Sequence, residues 1–229
     1  MSEHIFTFWE GSMPEYIKLC MATWKFPYTV LNYANLSQYT ELNLQNKDKF
    51  TLPQIADCVR VHVLRDNGGC WLDADTILFG DQLPDFPILG YNEKRSNTIG
   101  YLKTTANSDM YIKWAEFQDN ILNQENPSTE WNVFGNAFTD PYLKEHTEIP
   151  IGNIEDYWAE LDIKGNIPRR DKYKKFYFEC QLGTYVIKTK KMLMLHNSWT
   201  PKWYKQLSRT EVLSQNCTLS NILREVTAL

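Results

Sequence analysis

The sequence predicts one α/β domain, and three observations carry that prediction. Its opening reads strand, helix, strand; a long helix with a signalled start and stop runs into short apolar strands; and 43% of the 229 residues are hydrophobic, enough to bury a single core. His4 to Trp9 is short, aromatic and β-prone and leads to Gly11, as a first strand entering a loop would. Leu19 to Trp24 looks helical, and Tyr28 to Tyr33, bounded by Pro27 and Asn35, has the β-branched and aromatic residues of a second strand. Thr51-Leu-Pro-Gln54 has the spacing of a capping box, with Pro53 tolerated in the first turn, so a helix begins there. At about 100° per residue, Leu52, Ile55, Ala56, Val59 and Val63 share one face, and Asp57, Arg60 and Leu64 an adjacent one. Gly68-Gly69 stops the helix. Cys70 to Leu72 and Thr76 to Phe79 follow as two short strands, with Asp73-Ala-Asp75 between them.

Downstream, strands are expected at Phe86 to Leu89 and Thr98 to Leu102, and an amphipathic helix from Asp109 to Leu122 with Met110, Trp114, Phe117 and Ile121 at helical spacing. Asn123 to Thr129 reads as a polar loop. Tyr185-Val-Ile-Lys-Thr and Met192 to Leu195 read as late strands, and Thr218 to Val226 as a terminal helix introduced by a hydroxyl cap. No internal repeat or low-complexity tract interrupts the pattern.

The bulk properties exclude several function classes. With 28 acidic against 24 basic residues the net charge is -4, which gives no general attraction to nucleic acid or to an anionic membrane. The five cysteines are odd in number, widely spaced and without a CxxC pair, so the expectation is reduced thiols in a cytoplasm and neither a disulfide framework nor a zinc knuckle. The N-terminus lacks a basic n-region, and no segment approaches the roughly 20 apolar residues of a spanning helix. A cytoplasmic protein is expected, whose meeting with a membrane would be peripheral, at its inner face, or through a partner. Arg169 to Lys175 is a basic, aromatic run that would suit such a face, yet runs of this kind are mostly solvated surface.

Asp73 and Asp75 carry the clearest chemistry. They follow an apolar strand directly, and open α/β folds bind ligands at strand ends. Two such carboxylates repel each other unless a cation or a proton neutralises them, and Mg²⁺ or Mn²⁺, with hard oxygen ligands, would bridge to a diphosphate.

Here the residues become familiar. Asp57-Cys-Val-Arg60, Leu64, Gly68-Gly69 and Trp71-Leu-Asp73-Ala-Asp75 resemble the D-x-x-R, L, G-G-x-[YW]-x-D-x-D signature of the sugar transferases that include glycosyltransferase family 32, the capsular polysaccharide synthesis glycosyltransferases and the glucosylating bacterial toxins. His4 to Gly11 resembles the I-H-x-x-W-x-G opening strand of that group, with His4 one place ahead of Ile5 rather than after it. His196-Asn-Ser198-Trp199-Thr-Pro-Lys202-Trp203 resembles its late H, S-W segment. The resemblance implies a GT-A fold, with a Rossmann-like mixed central sheet flanked by helices, a donor-binding part at roughly 1–105 and an acceptor and closing part at roughly 106–229.

It also implies a nucleotide sugar donor, Mn²⁺ or Mg²⁺, and retention of configuration. On it, Asp75 binds the metal directly, and Asp73 contacts ribose and metal. Asp57 and Arg60 hold the transferred sugar. Trp9 or Phe8 packs on the base, His196 or Ser198 completes the metal shell, and Trp199 and Lys202 bind the diphosphate. In Trp131 to Asp140 the family's glycine loop beside the sugar is matched through Gly135, with Asn136 where a proline is usual, and Asn136 or Asp140 becomes a sugar contact. The chemistry agrees with these roles, since cleavage leaves negative charge on the diphosphate, where a cation, an ammonium and an indole donor favour the transition state. UDP-galactose, UDP-glucose and their N-acetyl forms are the expected donors, and a lipid-linked or protein-linked glycan of a bacterial surface the acceptor. Two other readings compete: a sugar-nucleotide or glycan-binding module without turnover, and a metal-dependent phosphohydrolase, for which Asp73-Ala-Asp75-Thr76-Ile77 is only a loose match to the D-x-D-x-[TV] motif.

Overall fold

The computed structural model describes residues 3–91, 96–157, 168–182 and 191–228. Its strands are β1 (Ile5–Phe8), β2 (Tyr28–Leu31), β3 (Gly69–Leu72), β4 (Thr76–Leu78), β5 (Ile88–Tyr91), β6 (Ser96–Thr104), β7 (Ile151–Asn153) and β8 (Met192–Met194). Its helices are α1 (Glu15–Met21), α2 (Leu52–Asn67), α3 (Asp109–Leu122), α4 (Asn136–Glu145), α5 (Ile154–Tyr157), α6 (Arg169–Lys174), α7 (Lys202–Lys205), α8 (Arg209–Ser214) and α9 (Thr218–Thr227). Contacts divide the chain into two compact units, each threaded from three stretches: 1–10, 26–73 and 84–154 form the first, and 11–25, 74–83 and 155–229 the second.

The first unit is the expected α/β layer. Its six strands run in the order β2-β1-β3-β6-β5-β7, with β1 parallel to both β2 and β3, and β6 antiparallel to β3 and β5. Helix α2 packs against β1, β3, β6 and α3, which explains its composition: Ile55, Cys58, Val59, Val61, Val63 and Leu64 are all buried, so its apolar surface is wider than a single stripe. Leu52, assigned to that face from periodicity, is instead 44% exposed, at the very start of the helix, whereas Ile55 one turn on is buried. The predicted capping box is present in its glutamine half: Gln54 Oε1 accepts from the Thr51 backbone N–H at 2.9 Å and from the Thr51 hydroxyl at 2.8 Å.

At the other end of α2 the two glycines are required. Gly68 has φ +67° and a Cβ there would sit 2.6 Å from the Ala106 backbone nitrogen; Gly69 has φ +89° and would place a Cβ 2.7 Å from the His4 carbonyl oxygen. Both neighbours are backbone and cannot swing aside. Gly68→Ala is therefore expected to destabilise the protein by about 3 kcal/mol, combining left-handed strain with the collision, which urea unfolding would measure.

His62 on α2 is fully buried, with its nearest charged neighbour, Asp119, at 3.6 Å. Burial pushes its imidazole down to about 4, with Arg65 adding to the effect and Asp66 opposing it. The folded protein thus holds this ring neutral while the unfolded chain protonates it below about pH 6.5. Stability from this site is complete above that value and is lost as pH falls, by about 3 kcal/mol at pH 4. Urea unfolding at pH 7 and pH 4.5 should show that drop, and His62→Leu should remove most of it.

The second unit has a two-stranded sheet in which β4 pairs antiparallel with β8, Thr76 opposite Met194 and Leu78 opposite Met192. Helix α1 starts at Glu15, earlier than predicted, because Pro14 supplies the entry and its carbonyl accepts from Ile17 and Lys18. Helix α9 matches the predicted terminal helix, but Thr218 is not its cap: Cys217 holds that position, and the Thr218 hydroxyl donates to the Cys180 carbonyl at 3.0 Å. The expected strand at Tyr185-Val-Ile-Lys-Thr lies outside the described residues. All five cysteines are unpaired. No described helix is long and apolar enough to cross a membrane.

Candidate functional site

In the first unit the chain leaves β1 for β2 on one side and returns to β3 on the other, so the carboxyl ends of β1 and β3 flank the point where strand order reverses. Ligands bind at such points in open α/β sheets. Two predicted residues emerge there: Trp9 after β1, its N–H bonded to the Leu31 carbonyl at 2.9 Å, and Asp73 after β3, its N–H bonded to the Gly100 carbonyl at 3.0 Å. Phe8 is 7% exposed, in the core, edge-on to Tyr33 with ring centres 5.5 Å apart. The Trp9 indole N–H is shielded from water and has no partner among the described residues.

The chemistry gathers around Arg60. Helix α2 places Asp57 and Arg60 one turn apart, and β3 brings Asp73 to the same guanidinium, with Arg60 Nη2 2.8 Å from Asp57 Oδ1 and 3.2 Å from Asp73 Oδ1. Nη1 donates to the Ile99 carbonyl, and the group lies over the Trp71 ring, 5.0 Å from its centre. The Trp71 indole donates to the same Asp73 oxygen at 2.9 Å, leaving the other oxygen and a side chain 37% exposed. Arg60 is only 5% exposed, which rules out a solvated surface ion pair. One guanidinium between two carboxylates leaves a surplus negative charge, and the Asp57 carboxyl is pushed up to about 7: burial raises it, Arg60 opposes, and Asp73 adds to the rise. A shift of that kind at a strand-end site marks a functional candidate.

A second cluster continues along the edge through β6. The predicted glycine loop is a tight turn followed by helix α4. A Cβ on Gly135 would lie 2.6 Å from Ile99 Cδ1, so the turn sits close against β6 at this residue. Asn136 Nδ2 donates to the Asn97 carbonyl at 3.0 Å and to Asp140 Oδ1 at 3.2 Å, while Asn97 Nδ2 donates to that oxygen at 2.9 Å and Asn97 Oδ1 accepts from Thr139 at 3.0 Å. The structure thus joins Asn136 and Asp140 to each other and to Asn97, which sequence reasoning missed.

In the second unit Asp75 is 9% exposed, and the β4–β8 pairing continues past the strands: Leu195 N–H donates to the Asp75 carbonyl at 3.1 Å and Asn197 N–H to Asp75 Oδ2 at 2.7 Å. Asn197 is itself held by the Tyr16 hydroxyl at 2.6 Å. The His196 backbone is therefore fixed beside Asp75. Its ring packs on Trp199 with centres 4.0 Å apart, and the His196 backbone N–H donates to the Tyr173 hydroxyl at 3.2 Å. Ser198 and Lys202 are exposed. Tyr173 comes from the basic run at 169–175, where the charged residues are at least partly exposed but the tyrosine is buried; only the odd aromatic within a charged stretch could have marked it.

A family model described as "Capsular polysaccharide synthesis protein" matches residues 1–208. The chain belongs to that family. No curated protein sequence matches it. Among solved structures, the chain is similar to a "PaToxG Glycosyltransferase", with 15% identity over 63% of this chain and 69% of that one and a TM-score of 0.42. It is also similar to the apo form of the glycosyltransferase GlyE of Streptococcus pneumoniae TIGR4, with 13% identity over 100% of this chain and a TM-score of 0.47. The chain spans 61% of the length of that pneumococcal protein.

Among the described residues of this family member, no three His, Cys, Asp or Glu side chains are grouped to hold a metal ion. That is compatible with Mg²⁺ or Mn²⁺, which are commonly held by one or two carboxylates together with substrate phosphates rather than by an all-protein cage. Asp75, with Oδ2 fixed by Asn197, and Asp73, with one oxygen beyond the Arg60 and Trp71 contacts, have the hard donors such an ion takes.

Proposed function

We propose that the protein is a glycosyltransferase of polysaccharide synthesis that moves a hexose or N-acetylhexosamine from a nucleotide sugar, of the UDP-glucose, UDP-galactose or N-acetyl class, to a glycan acceptor with retention. The observation that carries this reading is the buried Arg60 clamped between Asp57 and Asp73 at the carboxyl end of β3, in a chain of the capsular polysaccharide synthesis family. A neutral core would not place a guanidinium there with two acids and a carbonyl; a site that grips hydroxyls and phosphate would.

In this mechanism Asp75, with Asp73 contributing, would hold Mn²⁺ or Mg²⁺, and the ion would supply positive charge that stabilises a diphosphate leaving group. Asp57 and Arg60 hold the transferred sugar: Arg60 fixes Asp57, and Asp57, poised near pH 7, can both accept from and donate to sugar hydroxyls. Trp9 offers its ring face to the base. Trp199 and Lys202 add donors to the leaving diphosphate. The bond from the anomeric carbon to the diphosphate oxygen breaks, the acceptor oxygen bonds to that carbon from the same face, and its proton passes to the diphosphate oxygen. The test is UDP release from each of the four sugar nucleotides with Mn²⁺, with and without a saccharide acceptor. Turnover of one donor with the anomeric configuration kept, read by NMR coupling, supports the proposal; release from none rejects it.

A further inference from the structure

Trp131 is 80% exposed, well above Trp203 at 47%, Leu52 at 44%, Tyr28 at 43% and Tyr91 at 38%. Its ring makes no hydrogen bond or ring contact among the described residues, yet the turn that carries it is pinned on both sides. Before it, Gln54 Nε2 donates to the Thr129 and Glu130 carbonyls at 3.1 and 2.9 Å. After it, Val133 and Phe134 are buried, and the Phe134 carbonyl accepts from Trp114 Nε1 at 2.8 Å and from Gln118 Nε2 at 2.7 Å. The same turn then delivers Gly135 to Ile99 and Asn136 to Asn97 at the candidate site.

We propose that Trp131 is the stacking platform of an acceptor-saccharide subsite. The proposal rests on the transferase reading for its acceptor. A rigid backbone presenting one bare indole gives a flat apolar face with an N–H at its edge, which suits the C–H face and hydroxyl rim of a pyranose at little cost in ordering. Its chain neighbours Ser128, Thr129, Glu130 and Asn132 are polar. One indole offers at most about 250 Å², well short of the roughly 800 Å² per partner of a protein interface. The exposed Glu130 carboxylate disfavours a phosphate on the same ring, so the ligand is a neutral saccharide rather than the donor nucleotide.

The test titrates the wild type, Trp131→Phe and Trp131→Ala with di- to tetrasaccharides of glucose, galactose and N-acetylglucosamine, by saturation-transfer NMR, and with UDP and Mn²⁺ in parallel. The wild type binds at least one saccharide through its ring C–H protons; alanine weakens it on the order of tenfold while phenylalanine retains most of the affinity; and UDP affinity is unchanged in all three. Equal saccharide affinity in Trp131→Ala, or no saccharide binding by the wild type, overturns the proposal. Loss of UDP affinity in Trp131→Ala also overturns it and assigns the ring to the donor. Saccharide binding that depends on Trp131 in a protein that binds no UDP leaves the subsite standing and removes the transferase reading instead.

Discussion

Arg60→Ala is expected to destabilise the protein by about 3–5 kcal/mol, because it strands the Asp57 carboxylate in a buried position with its neutralising partner gone. At about 2–4 °C per kcal/mol for a chain of this size, the melting temperature should fall by roughly 10 °C. Arg60→Lys should recover only part, since an ammonium cannot span two carboxylates and the Ile99 carbonyl in a planar fork. The pair Asp57→Leu with Arg60→Met separates stability from function: apolar replacement of a buried ion pair often restores folding, yet the site would have lost its grip on the donor. A double variant that regained both stability and turnover would make the cluster purely structural.

Asp75→Asn is expected to reduce turnover by at least about 10²–10³-fold with a melting temperature close to that of the wild type. The amide oxygen can still accept from Asn197 N–H, so the lost quantity is the charge that an Mg²⁺ or Mn²⁺ ion would need. Asp75→Ala should cost stability as well, because the Asn197 N–H then loses its acceptor. Near-full turnover in the asparagine variant would remove Asp75 from the mechanism.

What the sequence could and could not show follows from how far apart the interacting residues lie. Helix α3 fell on its predicted span, Asp109 to Leu122, because both its apolar spacing and its start are local signals. Helical phase placed Asp57 and Arg60 on one face, and the resemblance of the D-x-x-R to D-x-D stretch to the sugar transferases put Asp73 at the same site. Helix α4 was hidden: the stretch through Gly135 reads as a loop, although the helix's first turn is fixed from outside by Asn97 and it runs on through Pro141. Asn97 and the Ile99 carbonyl reach the site from β6, some forty residues along the chain, and no local pattern announces such a partner. The two units were equally invisible, since the chain crosses between them five times, after residues 10, 25, 73, 83 and 154, with no change of composition to mark the crossings.

The most direct test of the donor site is a calorimetric titration of UDP and of the four UDP-sugars into the intact protein, with Mn²⁺ and with EDTA. Binding is expected to require Mn²⁺, to be stronger for one UDP-sugar than for UDP, and to be lost in Asp75→Asn. Nucleotide binding of equal strength in EDTA would contradict the role of the carboxylates, and no binding under either condition would contradict the transferase assignment itself.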